Sequence, residues 1–195
     1  PIYLYGAING IDGVLNERFI EVTKETNLDN WQTTPGAILG SVRLRLKKYP
    51  EDLELYEKIK EVFKKYDITH FFYCGGNDSM DTCYKINDYF KQIGYKCTVL
   101  GLPKTVDNDL VETDHCPGYG SAAKIVSTIM AEVYHDTSVY KKGRVTIVEI
   151  MGRDAGWLTA ATHLANVYNN GPDLIYLPES AFDMDKFLED VKNLY

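Results

Sequence analysis

The sequence has no apolar run approaching a bilayer-spanning helix, no CxxC pair, no excess of basic residues, no internal repeat and no low-complexity segment. Each absence removes a class of protein. Without ~20 consecutive apolar residues, no membrane-spanning helix is expected, and no signal peptide opens the sequence as given. Cys74, Cys83, Cys97 and Cys116 fall in or beside expected core elements, so they read as reduced structural thiols and the cytoplasm is the expected compartment. A net charge of −7 argues against a nucleic-acid-binding surface. An anionic ligand would then need a local cluster of Lys, Arg or metal ion, because the global field repels it. A starting methionine is missing too. The sequence opens at Pro1-Ile-Tyr-Leu-Tyr5 and stops inside a helical pattern at Tyr195, and so reads as cut at both ends.

What is present suits a soluble enzyme. A chain of 195 residues, 45% hydrophobic and 25% charged, can bury one sizeable core as one domain or a large part of one. Leu53, Tyr56, Ile59, Phe63 and Tyr66 recur at helical spacing after the Tyr49-Pro50 break. A strand is expected at 70–74, then a helix from about Ser79 to Ile93 with Asp78 or Ser79 as N-cap and Gly94 as its stop. A strand at 97–102 and a loop to Gly118 follow, then a helix striped by Ala122, Ile125, Val126, Ile129 and Val133 into about Tyr140. The run Arg144–Ile150 is apolar and β-branched, as for a strand buried on both faces. Beyond it, 156–167 reads as helix, 173–177 as strand and 183–195 as helix. Alternating strand and helix point to a doubly wound or related three-layer α/β fold.

Two loops carry the chemistry. Cys74-Gly-Gly-Asn-Asp-Ser79 closes one apolar run, and Pro103-Lys-Thr-Val-Asp-Asn-Asp109 closes the next. Polar loops at the ends of successive βα units are where open α/β sheets bind ligands. Gly75 and Gly76 allow close backbone approach and positive φ, and the following helix points its positive dipole end at the same space. The same pattern also fits a plain capped turn, and it is not a Walker A motif, since Gly-Lys-Ser/Thr is absent. Gly118-Tyr-Gly120-Ser-Ala-Ala123 matches GxGxxA but follows Asp114-His-Cys-Pro117 rather than a strand, so the dinucleotide context is missing. In an extended segment Asp107 and Asp109 project to one side. Two such carboxylates suit Mg²⁺, or divide into metal ligand and general base; a solvated acidic turn is the bland alternative. Lysine, hydroxyl, carboxylates and exposed N–H groups together are the equipment of phosphoryl transfer.

Gly-Gly-Asn-Asp-Ser, Pro-Lys-Thr-Val-Asp-Asn-Asp, Glu149-Ile-Met-Gly-Arg-Asp-Ala-Gly156 and Pro178-Glu179 occur in the order and spacing of the phosphofructokinase family, which the chain resembles from Gly36-Ala-Ile-Leu-Gly-Ser-Val-Arg43 onward. The resemblance implies a three-layer, mostly parallel sheet with helices on both faces, truncated at both ends. Residues 1–140 would be a phosphoryl-donor region lacking its first strand and glycine-rich loop, and 141–195 the start of a sugar-phosphate region. It makes Asp107 the base for the 1-hydroxyl of fructose 6-phosphate and Asp109 the second carboxylate, with both as Mg²⁺ candidates. Thr105 would contact the sugar or the transferred phosphate. Gly75, Gly76, Asn77, Asp78, Ser79 and Arg43 would face the donor. Met151, Gly152, Arg153 and Glu179 would bind substrate, and Arg144 would reach the sugar phosphate of a neighbouring subunit in a homo-dimer or homo-tetramer.

Two positions address the donor. ATP-using members have glycine where Asp78 and Lys104 stand. A carboxylate at 78 excludes ATP by bulk and like charge, and Lys104 supplies a compact cation for pyrophosphate, so the chain resembles the pyrophosphate-dependent branch. An ATP-dependent 6-phosphofructokinase and a non-catalytic fragment or regulatory subunit are the alternatives. Asn77 replaces an aspartate that the family associates with Mg²⁺, which shifts metal binding towards Asp107, Asp109 or the donor phosphates.

Overall fold

The computed structural model describes residues 2–24, 26 and 28–195. Two compact units divide the chain, the first ending at Leu102 and the second running Pro103–Tyr195.

In the first unit, β1 (Tyr5–Ala7) and β2 (Phe19–Glu21) pair antiparallel, Gly6 opposite Ile20, with α1 (Ile11–Leu15) between them. Periodicity gives no warning of these strands, because each is only three residues long. Then come α2 (Leu28–Thr33), α3 (Leu53–Lys65), β3 (His70–Gly75), α4 (Asn77–Gln92) and β4 (Thr98–Pro103). β3 and β4 are neighbours in a second two-stranded sheet, and the helix between them makes a βαβ unit of the parallel kind.

The centre of the stripe expected on α3 is what it buries, while Leu53 at its start is exposed and Tyr66 at its end is half-buried. Tyr56, Ile59, Val62 and Phe63 pack into one cluster with Ile86, Tyr89 and Phe90 of α4, Ile11 and Val14 of α1, and Leu46. Aromatic rings meet tilted or edge-on, Tyr56 with Tyr89 at 5.0 Å and Phe63 with Phe90 at 5.8 Å. Such pairs contribute about 0.5–1.5 kcal/mol beyond their area burial. The Tyr56 hydroxyl donates to the Lys47 carbonyl at 2.6 Å, and burial pushes this phenol up to about 12. α4 begins two residues before the expected Ser79. Its N-cap is Gly76, with no side-chain cap, instead of Asp78 or Ser79. Gly94 ends it as expected, at φ 68°.

The second unit holds α5 (Tyr119–Ser138), α6 (Trp157–Ala161) continuing into a 3-10 helix (Thr162–Tyr168), and α7 (Met184–Leu194). Ala123 of α5 packs on Leu158 and Ala161 of α6. The Asp183 carboxylate caps α7 by accepting from the Lys186 N–H at 3.0 Å. Three expectations fail here. The expected α5 stripe is not its buried face, since Ile125 and Ile129 are exposed while Ala123 and Met130 are buried. Residues 144–150 form no strand and are largely exposed, Ile147 at 78%, and 173–177 form none either. β propensity reports fit to a paired, half-buried surface, and among the described residues no strand pairs with either run. All four cysteines are free, but Cys74 is exposed where a core thiol was expected. Among the described residues no helix is long and apolar enough to cross a membrane.

Glu57 of α3 links the two long helices by accepting from Lys60 and from the Tyr89 hydroxyl of α4. The Lys60 contact first, then Tyr89, holds its carboxyl below the ordinary 4.5. A value depressed by folding gives stabilisation that is present above 4.5 and lost as pH falls through the lower folded value. Urea midpoints measured from about pH 6 down to about pH 3 should therefore fall less steeply in Glu57→Gln than in the parent protein. Parallel slopes would contradict the assignment.

Candidate active site

The Gly75–Ser79 loop lies at the junction of β3 and α4. A Cβ on Gly75 would sit 2.1 Å from the Ser79 Oγ, so only glycine lets the strand end pass this close to the helix's first turn. Positive φ plays no part, since neither Gly75 nor Gly76 is left-handed. Gly76 is extended and its carbonyl accepts from the Ser79 and Met80 N–H groups at 3.0 and 3.1 Å. Asn77 and Asp78 are exposed in the first turn of α4, with Ser79 half-buried beneath them. A carboxylate in a helix's first turn is stabilised by the macrodipole. Asp78 thus occupies the end of α4 that would otherwise attract an anion. Arg43 is exposed in the irregular segment before α3.

The loop that carries Asp107 and Asp109, in the second unit, follows β4. It is not extended, which corrects the simple alternation expected for Asp107 and Asp109. The Thr105 hydroxyl accepts from the Asp107 N–H at 3.2 Å, the local turn that a Ser or Thr offers two residues ahead. Asn108 then turns the backbone into the left-handed region at φ 55°. Its Oδ1 accepts from the Cys116 N–H at 2.7 Å, and its Nδ2 donates to the Asp114 carbonyl at 3.2 Å. Asp107 is half-buried, and its Oδ1 is fully enclosed with no hydrogen-bond partner among the described residues. A buried carboxylate oxygen left without a donor is costly unless a ligand proton or a cation meets it. Lys104 is exposed at the start of the loop.

The remaining candidates also lie in the second unit. An Arg153 guanidinium nitrogen stands 4.0 Å from the Asp109 Oδ2. Arg153 itself is left-handed at φ 51°. Before it, a Cβ on Gly152 would lie 2.2 Å from the Ala155 carbonyl, so the tight turn requires glycine. Met151 is 68% exposed, hence no core residue. Arg144 stacks over the Tyr140 ring at 3.3 Å from its centroid. Glu179 has a structural partner that sequence reasoning missed: its Oε1 accepts from the Gly156 N–H at 2.7 Å, just ahead of α6. A Cβ at 156 would lie 2.5 Å from the Glu179 Oε2. Asn108 was missed as well; its signal was the known tolerance of Asn for left-handed backbone.

Mg²⁺ usually keeps several waters and takes one or two carboxylates together with substrate phosphates. Among the described residues no group of three or more His, Cys, Asp or Glu side chains is placed to hold a metal. The Asp107 and Asp109 pair with the enclosed Asp107 oxygen fits that sparser, substrate-completed mode.

The family model for phosphofructokinase matches residues 2–195. The chain belongs to the phosphofructokinase family. Across 98% of its length it is 42% identical to a pyrophosphate–fructose 6-phosphate 1-phosphotransferase from Rhodospirillum rubrum, covering 46% of that protein. A crystal structure titled pyrophosphate-dependent phosphofructokinase, from Nitrosospira multiformis, superposes with a TM-score of 0.86 at 38% identity, covering 98% of this chain and 48% of that one. An ATP-dependent 6-phosphofructokinase from Actinobacillus pleuropneumoniae is more distant, 32% identical over 97% of the chain and 54% of that protein. The phosphofructokinase fold, in the α/β class, is therefore established, and the chain spans about half the length of the relatives it matches.

The Glu179–Gly156 bond separates a structural role from a ligand-only role. Glu179→Ala strands the Gly156 N–H and should cost about 1–3 kcal/mol, whereas Glu179→Gln keeps an acceptor and should cost well under half of that. Urea denaturation reads both. Equal stability of the two variants would show that the bond contributes nothing to the fold.

Proposed function

We propose that this phosphofructokinase chain serves transfer of a phosphoryl group from pyrophosphate to the 1-hydroxyl of fructose 6-phosphate, releasing orthophosphate and fructose 1,6-bisphosphate. The observation that carries this is the 42% identity to a relative named for that reaction, with ATP-dependent members more distant. In this reading residues 1–140 bind the donor and 141–195 begin the sugar-phosphate region.

Asp107 is the proposed base. Its carboxylate, half-buried in the loop, would take the hydroxyl proton as the sugar oxygen attacks phosphorus and the bridging P–O bond of pyrophosphate breaks. Mg²⁺, held by Asp107, Asp109 and the donor phosphates, would supply charge neutralisation on the phosphate oxygens. Gly75, Gly76, Asn77, Ser79 and Arg43 are the proposed donor contacts of the first unit, and Lys104, of the second, is the proposed compact cation for pyrophosphate. Thr105 shapes the Asp107 turn through its hydroxyl, while Met151, Gly152, Arg153 and Glu179 belong to the sugar-phosphate side. Arg144, exposed on the Tyr140 ring, is proposed to reach a neighbouring subunit's sugar phosphate in a homo-dimer or homo-tetramer. A cytoplasmic location goes with this reading.

Asp107→Ser should lower kcat by ~10²–10⁴-fold, the range for loss of a general base, with KM for fructose 6-phosphate little changed. Matching losses in kcat and in sugar-phosphate affinity would point instead to an anchoring role. Donor choice is tested separately. Asp78→Gly together with Lys104→Gly should weaken pyrophosphate use and open the site to ATP, because bulk and negative charge leave the first turn of α4 while the compact cation is lost. A double variant that keeps its pyrophosphate preference would show that the donor is chosen elsewhere.

A further inference from the structure

Asn108 lies between the two candidate aspartates, but its side chain faces neither donor nor sugar chemistry. It is only 5% exposed. Both functions of its amide are spent across the loop, the oxygen on the Cys116 N–H and the nitrogen on the Asp114 carbonyl. Cys116 is itself completely buried, so the far end of this brace is anchored in the protein interior. At φ 55° the residue also supplies the backbone reversal between Asp107 and Asp109. Asp107 is consequently held from both sides, by Thr105 through its N–H and by Asn108 through the next peptide.

We infer that Asn108 is the positioning residue of the reaction: by bridging Asp114 and Cys116 from a left-handed backbone, it fixes the direction of the Asp107 carboxylate and the spacing of Asp107 from Asp109. The inference rests on the phosphotransferase reading of Asp107. Its chemistry is specific to asparagine. Aspartate tolerates the same backbone and can accept from the Cys116 N–H, but it has no donor for the Asp114 carbonyl and adds a carboxylate between Asp107 and Asp109. Glycine keeps the backbone and loses both bonds. Alanine loses the bonds and is strained as well.

The test uses the complete protein and the variants Asn108→Gly, Asn108→Asp, Asp107→Ser and the pair Asn108→Gly with Asp107→Ser. Misplacement of a reacting group by about 1 Å costs on the order of 10²-fold. Asn108→Gly should therefore lose roughly 10–100-fold in kcat with KM for fructose 6-phosphate within about threefold, and Asn108→Asp should recover part of the loss. In the Asp107→Ser background the glycine substitution should have little further effect, because a residue that acts only through Asp107 has nothing left to position. An equal loss in both backgrounds, or no loss in the parent, overturns the inference. Amide exchange reads the placement without turnover. Asn108→Gly should speed exchange at Asp107 and Cys116 while α5 stays protected, and unchanged exchange there overturns the inference too. A parent protein without transfer activity, combined with faster exchange in the variant, would sink the phosphotransferase reading and leave the placement standing.

Discussion

The left-handed peptide at Asn108, with both the oxygen and the nitrogen of its side-chain amide hydrogen-bonded, is the constraint on which the loop carrying Asp107 and Asp109 depends. The loop between β4, which ends at Pro103, and α5, which begins at Tyr119, has no ladder of its own, so its backbone groups must find partners one by one. Asn108 satisfies the Cys116 N–H and the Asp114 carbonyl with one side chain, and Thr105 satisfies the Asp107 N–H. These three bonds, not the period of an extended strand, decide where the Asp107 and Asp109 carboxylates lie. They also leave the Asp107 Oδ1 enclosed without a donor, an unfavourable arrangement for a solvated acidic turn.

The Gly75–Ser79 loop is held by different means. In the first unit, α3 and α4 share an aromatic and aliphatic core, and the position of α4 follows from that packing. With α4 fixed, Gly75 lets β3 run into it at a separation no side chain would permit. The first turn, with Asn77, Asp78 and Ser79, is then presented by a rigid helix of 16 residues. An acidic residue in that turn changes what the helix end attracts. The dipole favours a negative charge there, and Asp78 already provides one.

The long helices were legible in the sequence, the short α1 and α2 were not, and strands were legible only in part. The Leu53–Tyr66 stripe marks α3 because burial of a helix face is a local pattern, and Tyr56, Ile59 and Phe63 are indeed buried. The 144–150 run failed for the opposite reason. Its β-branched composition is a statement about pairing, and pairing depends on partners distant in sequence. The antiparallel β1–β2 pair was invisible because three residues carry no period. In the candidate site, residue types pointed to phosphate chemistry and to the family, while geometry came from features that type alone does not reveal. One Asn reversed the chain at φ 55°, one Thr closed a turn, and Glu179 spent an oxygen on Gly156.

The central claim concerns the reaction itself, and ³¹P NMR of the complete protein with fructose 6-phosphate, Mg²⁺ and pyrophosphate tests it most directly. The pyrophosphate resonance should decay as orthophosphate and a second sugar phosphoester appear in equal amounts, and ATP in place of pyrophosphate should give no such product. A phosphoester formed from ATP but not from pyrophosphate, or from neither, would contradict the account.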